Sequence, residues 1–538
     1  MKPLSTPFTT FTDRMRGRGN KALYIEYAIT ICCGLGSMLF GYDQGVFGGL
    51  LDSTSFMARF PSISNGNSTL QGFTVAVYEI GCAIGALSVV LWGDRYGRRA
   101  TVVYGMIVLA IGAVLQFLSY GLPQMIVGRI VTGIGNGLTT SVLPMWNGEC
   151  ARDHSRGRAV MWQLNINIFG IALAYWVDYG LNQSSATMDT EWSWRFPLAL
   201  QVVFAAGTIL LVCFLPESPR FLVMKNRLAE ARDVMDMLST IEDAQQRKAV
   251  VDEKMFAIEH ALDEESVAVT RSWTQCFTQG KPRYFQRMVL AIVALCMLQL
   301  SGINLITYYA PVIFQDTIGM SRNTSLLVTG FNGLAYWLCT FIPLPLIDRL
   351  GRRPLMLFAA VGQTITMAIL AAMIADGSSK AKGYVAAALL FVFNGFFAVG
   401  FCGIPFLLPM ELTPLATRAK SVAIATACFW SCNFFVVMIS PVLIARIKWG
   451  TYVLWTGTNL AFIPLIYFFI PETLNAALED IDTLFETSST WIMGPGSRRR
   501  LAKIVASREA AQAMHVEMAQ SGGKDAEDVQ AEQAGNRA

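Results

Sequence analysis

The sequence predicts an all-α membrane protein. It should have twelve transmembrane helices in two homologous six-helix halves, with a helical linker on the cytoplasmic side. Three observations carry this: long charge-free runs, a regular alternation of basic loops, and motifs of the first half that recur about 254 residues later.

The first observation is composition. Of 538 residues, 53% are hydrophobic and 15% are charged, against about 25% charged in an ordinary soluble domain. Residues 100–128, 196–216, 288–315, 323–347, 354–375, 383–410, 421–445 and 449–471 contain no Asp, Glu, Lys or Arg. Each run reaches the roughly 20 residues that a helix needs to cross a bilayer. Unpaired backbone groups are too costly in lipid, so the runs read as helices. Spans are expected at about 24–50, 70–92, 101–120, 123–145, 159–181, 195–215, 287–315, 324–347, 354–375, 383–410, 420–445 and 450–470. They divide the chain into an N-terminal segment (1–23), a first bundle (24–215), a linker (216–286), a second bundle (287–470) and a tail (471–538). The linker is rich in Glu, Lys, Arg and Ala and reads as short helices. The polar tail reads as disordered or loosely helical, with Arg498, Arg499 and Arg500 able to touch anionic lipid.

This composition excludes a disordered chain, a secreted disulfide scaffold and an ordinary soluble enzyme. Most of the eleven cysteines, such as Cys32, Cys33, Cys82, Cys296 and Cys432, lie inside apolar runs without metal spacing. Three histidines suggest no metal site, and a net charge of +4 does not point to nucleic acid. No catalytic motif or ATP-binding loop occurs, so no enzyme activity and no cofactor are expected, and any work must draw on gradients.

The second observation sets orientation. The loops after spans 2, 4, 6, 8 and 10 carry Arg95, Arg98 and Arg99; Arg152, Arg156 and Arg158; the linker; Arg349, Arg352 and Arg353; and Arg418 with Lys420. The positive-inside rule then puts both termini in the cytoplasm, although Arg446 and Lys448 run against it. The N-terminus (Lys2, Arg14, Arg16, Arg18, Lys21) is basic, with no cleavable signal behind it. Glycosylation sequons at Asn67, Asn182 and Asn323 all fall on loops that this topology places outside. With no endomembrane address in view, the plasma membrane is expected.

The third observation is internal repetition. Asp94-Arg95-Tyr96-Gly97-Arg98-Arg99 recurs as Asp348-Arg349-Leu350-Gly351-Arg352-Arg353, and Pro216-Glu217-Ser218 recurs as Pro471-Glu472-Thr473. Glu149 and Glu411 form a third related pair. Two parallel six-helix halves about a central cavity is a secondary-transporter plan. The set FGYDQGV (40–46), GDRYGRR (93–99), GRIVTGIGNG (128–137), PESPRFL (216–222), QLSGIN (299–304), DRLGRR (348–353) and PET (471–473) resembles the sugar porter family of the major facilitator superfamily. GINLITYYAP (302–311) and LEDID (478–482) look most like a fungal subgroup that includes hexose carriers and glycerol/proton symporters.

Ionisable residues inside a bilayer are costly and functional by default. Away from span ends there are three: Asp43, Glu79 and Arg129, all in the first half. The first half would then handle protons, and the second would hold a neutral substrate. A guanidinium beside Asp43 favours its carboxylate form, and protonation would release Arg129. The resemblance implies this role for the pair. The alternative is a permanent ion pair that only holds spans 1 and 4. Glu79 is either a second proton site or a helix tether. The glycine pairs Gly81/Gly85 and Gly133/Gly137 read as close helix packing.

Asp94, Arg95, Arg99, Glu149, Arg156, Glu217, Asp348, Arg349, Arg353, Glu411, Arg418 and Glu472 could form an ion-pair network. In sugar porters the matching residues latch the two bundles at the cytoplasmic side; the alternative is topology alone.

A polyol offers many hydrogen-bonding groups and no charge, which suits side-chain amides and aromatic faces. Gln299, Asn304, Tyr308 and Tyr309 of span 7, Phe406 of span 10, Trp430 and Asn433 of span 11, and Gln163 of span 5 are the candidates. On a straight helix Gln299 and Asn304 lie about 140° apart. Tyr308 and Tyr309 match the family's extracellular gate. Several amides of hexose carriers are missing, with Leu298, Leu164 and Phe429 at the matching positions and Tyr336 where span 8 usually has Asn, and Phe406 stands where span 10 usually has Trp. Each lost hydrogen bond costs about 1–3 kcal/mol, so glycerol, another short polyol or a pentose fits better than glucose. The expected function is sugar or polyol transport by proton symport through alternating access, as a monomer. The alternatives are an uncoupled facilitator and a nutrient sensor.

Overall fold

The computed structural model describes residues 19–64, 67–152, 156–184, 187–188, 190–269, 273–376, 380–414, 416–474, 476, 478–488 and 490–508. Lys2, Arg14, Arg16 and Arg18 and the tail beyond residue 508 lie outside this set. The described residues form helices and connecting turns, with no strand. Spans 1 to 6 are Gly19–Leu51, Ser68–Tyr96, Arg98–Phe117, Leu122–Cys150, Arg156–Gln183 and Trp192–Phe214. Among the described residues eleven segments are long and apolar enough to cross a membrane. The exception among the expected twelve is span 4, whose Arg129, Asn136, Asn147 and Glu149 make it too polar. It sits inside the first half, packed against spans 2 and 3.

Glycine sets how closely it packs. A Cβ on Gly81 would lie 2.3 Å from Ile130 O, and one on Gly133 would lie 2.2 Å from Tyr78 O. The two glycine pairs therefore face each other across spans 2 and 4, backbone against backbone.

Three spans of the second half are broken. Span 7 runs Tyr284–Leu300, then Ile303–Val312, then a wide turn Ile313–Thr317. Span 8 is Arg322–Cys339 followed by Pro343–Leu350, and span 10 is Lys380–Gly400 followed by Ile404–Leu412. Spans 9, 11 and 12 are Arg352–Asp376, Arg418–Ile447 and Gly450–Phe469. The halves meet through span 2 on span 11, span 5 on span 8, and span 1 on Ile303–Val312. Ile107, Ile111, Val203, Leu210, Ile365 and Leu460 are exposed on the outer faces, as a lipid-facing surface requires.

The linker forms helices Pro219–Met224, Leu228–Leu238 and Ala244–Val269, which share a small core of Leu222, Val223, Ala231, Val234, Val251 and Met255. The tail differs from expectation. Through residue 508 it is folded against the second half. Ile481, Leu484 and Phe485 recur at helical spacing and are buried. Gly494 N donates to Phe468 O at 2.9 Å, Arg287 binds Asp482 at 2.5 Å and Arg508 binds Asp480 at 2.8 Å.

Candidate functional site

Spans 1, 2, 4 and 6 converge on a buried ion pair. Arg129 Nη1 donates to Asp43 Oδ2 at 2.6 Å, and Arg129 Nη2 donates to Val75 O at 2.7 Å. The guanidinium lies between the rings of Phe47 (4.0 Å) and Tyr78 (4.6 Å), where cation–π attraction replaces part of its lost hydration. Gln201 Nε2 donates to Asp43 Oδ1 at 3.0 Å. Sequence reasoning missed Gln201, because a lone glutamine in an apolar run shows nothing until span 6 is seen against span 1. Asp178, near the end of span 5, was not among the sequence candidates either. Asp178 is buried against Gly49, where a Cβ would come within 2.2 Å of Asp178 Oδ2.

Glu79 is fully buried on span 2. Its Oε1 accepts from the Tyr308 hydroxyl of span 7 at 2.5 Å, and its Oε2 has no hydrogen-bond partner among the described residues. Asn433 stands beside it, with its own Nδ2 unpartnered. Glu79 therefore joins a charged first half to the amide cluster of the second.

That cluster depends on the break in span 7. Gly302 takes a left-handed conformation (φ +91°) between the two helical pieces, and a Cβ there would meet Trp455 at 2.9 Å. The break overrides the straight-helix angle between Gln299 and Asn304. Asn304 Nδ2 donates both to Gln299 Oε1 and to Asn433 Oδ1, the latter at 2.5 Å. The two tyrosines separate in role: Tyr308 crosses to Glu79, whereas Tyr309 donates to Val437 O at 3.0 Å within its own half. Trp430 meets Phe40 of span 1 edge-on at 5.6 Å and Phe429 at 5.0 Å. Phe406, 39% exposed, packs on Phe429.

Gln163 does not face this cluster. It donates to Ser37 Oγ at 2.8 Å and accepts from Asn147 at 3.2 Å, both inside the first half. Met161 and Leu164, which flank it, approach Gly403 of the second half: a Cβ on Gly403 would lie 3.0 Å from Met161 Sδ and 3.6 Å from Leu164 Cδ1. Gln163, expected as a lining residue, is therefore committed to its own half in this conformation.

At the arginine-rich end the repeats build one device twice. Gly97 (φ +89°) and Gly351 (φ +99°) turn the chain so that the next two N–H groups point at a buried glutamate. Glu217 accepts from the backbone of Arg98 and Arg99 at 3.1 and 3.2 Å. Glu472 accepts from Arg352 and Arg353 at 3.0 and 3.2 Å. The arginine side chains bind the third pair: Arg98 to Glu149 at 3.1 Å and Arg352 to Glu411 at 3.0 Å. Arg99 donates to Val212 O and Cys213 O, and Arg353 to Tyr467 O. Arg418 donates to Thr413 O. Burial pushes the Glu217 carboxyl above its usual range, partly offset by the N–H groups of Ser218, Arg99 and Arg98. Arg95, Arg349 and Asp348 (the last 73% exposed at its side chain) face outward; the side chains of Asp94 and Arg156 lie outside the described set. The pairs expected to latch one bundle to the other instead close within each half in this conformation, because each glutamate lies nearest the arginines of its own repeat.

The halves are tied at the opposite end. Arg322, at the start of span 8, donates to Asp52 Oδ2 at 3.1 Å and to Asn182 Oδ1 at 2.7 Å. The Tyr175 hydroxyl donates to Thr307 O. A Cβ on Gly48 would lie 3.1 Å from Pro311, and one on Gly72 would lie 2.1 Å from Met438 O. No pattern at positions 52, 182 and 322 announced this link, since it joins three span ends far apart in the chain.

Residues 29–485 match the family model described as "Sugar (and other) transporter". The Sugar transporter STL1 of Saccharomyces cerevisiae is 35% identical, over 88% of this chain and 84% of that one. The MFS-type transporter oryC of Aspergillus oryzae is 34% identical over 87% of each, and a low-affinity glucose transporter of Kluyveromyces lactis is 31% identical over 88% and 85%. The proton:xylose symporter XylE, solved with 6-bromo-6-deoxy-D-glucose, superposes with a TM-score of 0.73 at 27% identity, covering 86% of this chain and 99% of that one.

Proposed function

The chain belongs to the sugar transporter family of the major facilitator superfamily, and on that premise we propose that it carries a small neutral sugar or polyol across a membrane together with a proton. The observation that carries this is the buried cluster of Asp43, Arg129 and Gln201. A proton arriving at Asp43 removes the charge that holds Arg129. Spans 1 and 4 then lose an attraction that is strong because no water screens it. A proton-symporting relative with the same fold supports the reading.

Substrate binds where Gln299, Asn304 and Asn433 meet, with Trp430 covering its apolar side and Tyr308 closing over it. Glu79 is the second proton site, in contact with that cluster. The few amides there favour glycerol, another short polyol or a pentose. The contacts of Arg322, Tyr175 and Tyr308 support an inward-open state, with the outer end shut and the Glu149, Glu411 and Glu217 pairs withdrawn into their own halves. The protein works as a monomer in the plasma membrane, with both termini and the linker in the cytoplasm. Glycans would attach at Asn67 and Asn323, which are exposed, and not at Asn182, which is 4% exposed and bound to Arg322.

The test is external pH in a lightly buffered suspension of cells expressing the protein. Alkalinisation on adding glycerol, xylose or glucose names the substrate. Its loss in Asp43→Asn, with labelled substrate still entering, assigns the proton site. Entry without any pH change in the unaltered protein sinks the coupled reading. One observation favours an uncoupled facilitator instead: both Asp43 oxygens are already hydrogen-bonded, as a permanent tie requires.

A further inference from the structure

The arginine-rich end also holds a recess of about 590 Å³, lined by Arg353, Gly496, Arg498, Arg499 and Ala502. It forms where the tail returns to the membrane-spanning bundle. Gly494 N donates to Phe468 O at 2.9 Å, and a Cβ on Gly494 would lie 2.2 Å from Tyr467 O. Only glycine allows that approach, so the tail is held against the last residues of span 12. Tyr467, Phe468, Trp491 and Ile492 are all exposed around this junction. Aromatic and apolar side chains at a span end mark the depth of the bilayer surface, so the recess opens at headgroup level.

The three tail arginines divide by use. Arg500 is committed to the fold, donating to Met493 O at 2.8 Å and Ser488 Oγ at 3.2 Å. Arg498 and Arg499 are exposed and form no ion pair among the described residues. Arg353, at the start of span 9, spends one nitrogen on Tyr467 O and leaves its Nε without a partner. The nearby carboxylates are engaged: Glu472 accepts from the backbone of Arg352 and Arg353, and Asp480 binds Arg508. Three guanidiniums therefore face one recess without a counter-charge in contact. Guanidinium matches phosphate oxygens in geometry and charge.

We propose that this recess binds the headgroup of an anionic membrane phospholipid that carries more than one phosphate, such as a phosphorylated inositol. The occupant bridges the tail (Arg498, Arg499) and span 9 (Arg353), the span whose first arginine binds Glu411. The site does not depend on which substrate is carried.

The test is binding of a fluorescent short-chain phosphatidylinositol 4-phosphate to the detergent-solubilised full-length protein, followed by anisotropy. Unaltered protein should bind it, and inorganic phosphate at the same concentration should not displace it. The double variant Arg498→Ala/Arg499→Ala should bind roughly 30-fold more weakly, from about fivefold per guanidinium near an anionic surface. Both side chains are exposed, so its melting temperature should not change. Arg446→Ala, in the last turn of span 11, should bind as the unaltered protein does. The proposal is overturned by no binding, by equal binding to the double variant, or by displacement with equimolar phosphate, which would mark an adventitious ion only.

Discussion

The hydroxyl of Tyr308 donates to the carboxylate of Glu79 at 2.5 Å, so one hydrogen bond joins the charged half of the protein to the half that holds the amides. The other Glu79 oxygen has no hydrogen-bond partner among the described residues. A buried acceptor left open in this way costs about 1–3 kcal/mol, which a proton or a substrate hydroxyl would relieve.

Glu79→Gln keeps an oxygen for Tyr308 and removes the titratable charge. If Glu79 is a proton site, this variant should keep counterflow exchange of substrate and lose accumulation driven by a pH gradient. If Glu79 is only a tether, accumulation should survive in Glu79→Gln and fall in Tyr308→Phe. Uptake with and without a protonophore separates the two.

Arg322 links the halves through Asp52 and Asn182. The pair is partly exposed, with Arg322 at 24%, so its loss should be worth about 1 kcal/mol. Arg322→Ala should therefore raise the outward-open population roughly fivefold. The readout is labelling of a cysteine placed at Thr307 by an impermeant reagent added outside; unchanged labelling would remove Arg322 from the gate.

Gly351 holds φ +99°, a region other residues enter at a cost of about 1–3 kcal/mol. A Cβ there would also lie 2.5 Å from Glu472 Oε2. Gly351→Ala should lower the melting temperature by several degrees, and Gly97→Ala should behave alike. Gly457, with nothing within 4 Å of an added Cβ, is the control: Gly457→Ala should leave the melting temperature unchanged or raise it slightly.

Asn304 donates to both Gln299 and Asn433. Asn304→Ala strips both bonds and should weaken substrate affinity by roughly 10- to 100-fold, from about 1–3 kcal/mol for the groups left unmatched. Competition of labelled substrate by unlabelled substrate measures it. Gln163→Ala should change affinity far less, because that amide is spent on Ser37 and Asn147.

The spans, the doubled motifs and the three intramembrane charges were legible in the chain itself. Each is a local matter: about twenty apolar residues must become a helix in lipid, and a charge placed among them needs a reason. The same logic made Asp43 and Arg129 partners before any distance was known. It also went too far with the tail, where Ile481, Leu484 and Phe485 follow a helical pattern within a segment that is polar on average.

What tertiary structure alone decided is who meets whom. Gln201 reaches Asp43, Arg322 reaches Asp52, Gln163 is spent on Ser37 and Asn147, and each glutamate of the arginine-rich end stays with its own half. Hydropathy and spacing constrain a helix and its faces. They do not constrain which face of which other helix arrives there, because that depends on packing summed over twelve spans and on breaks such as Gly302 that redirect a helix midway.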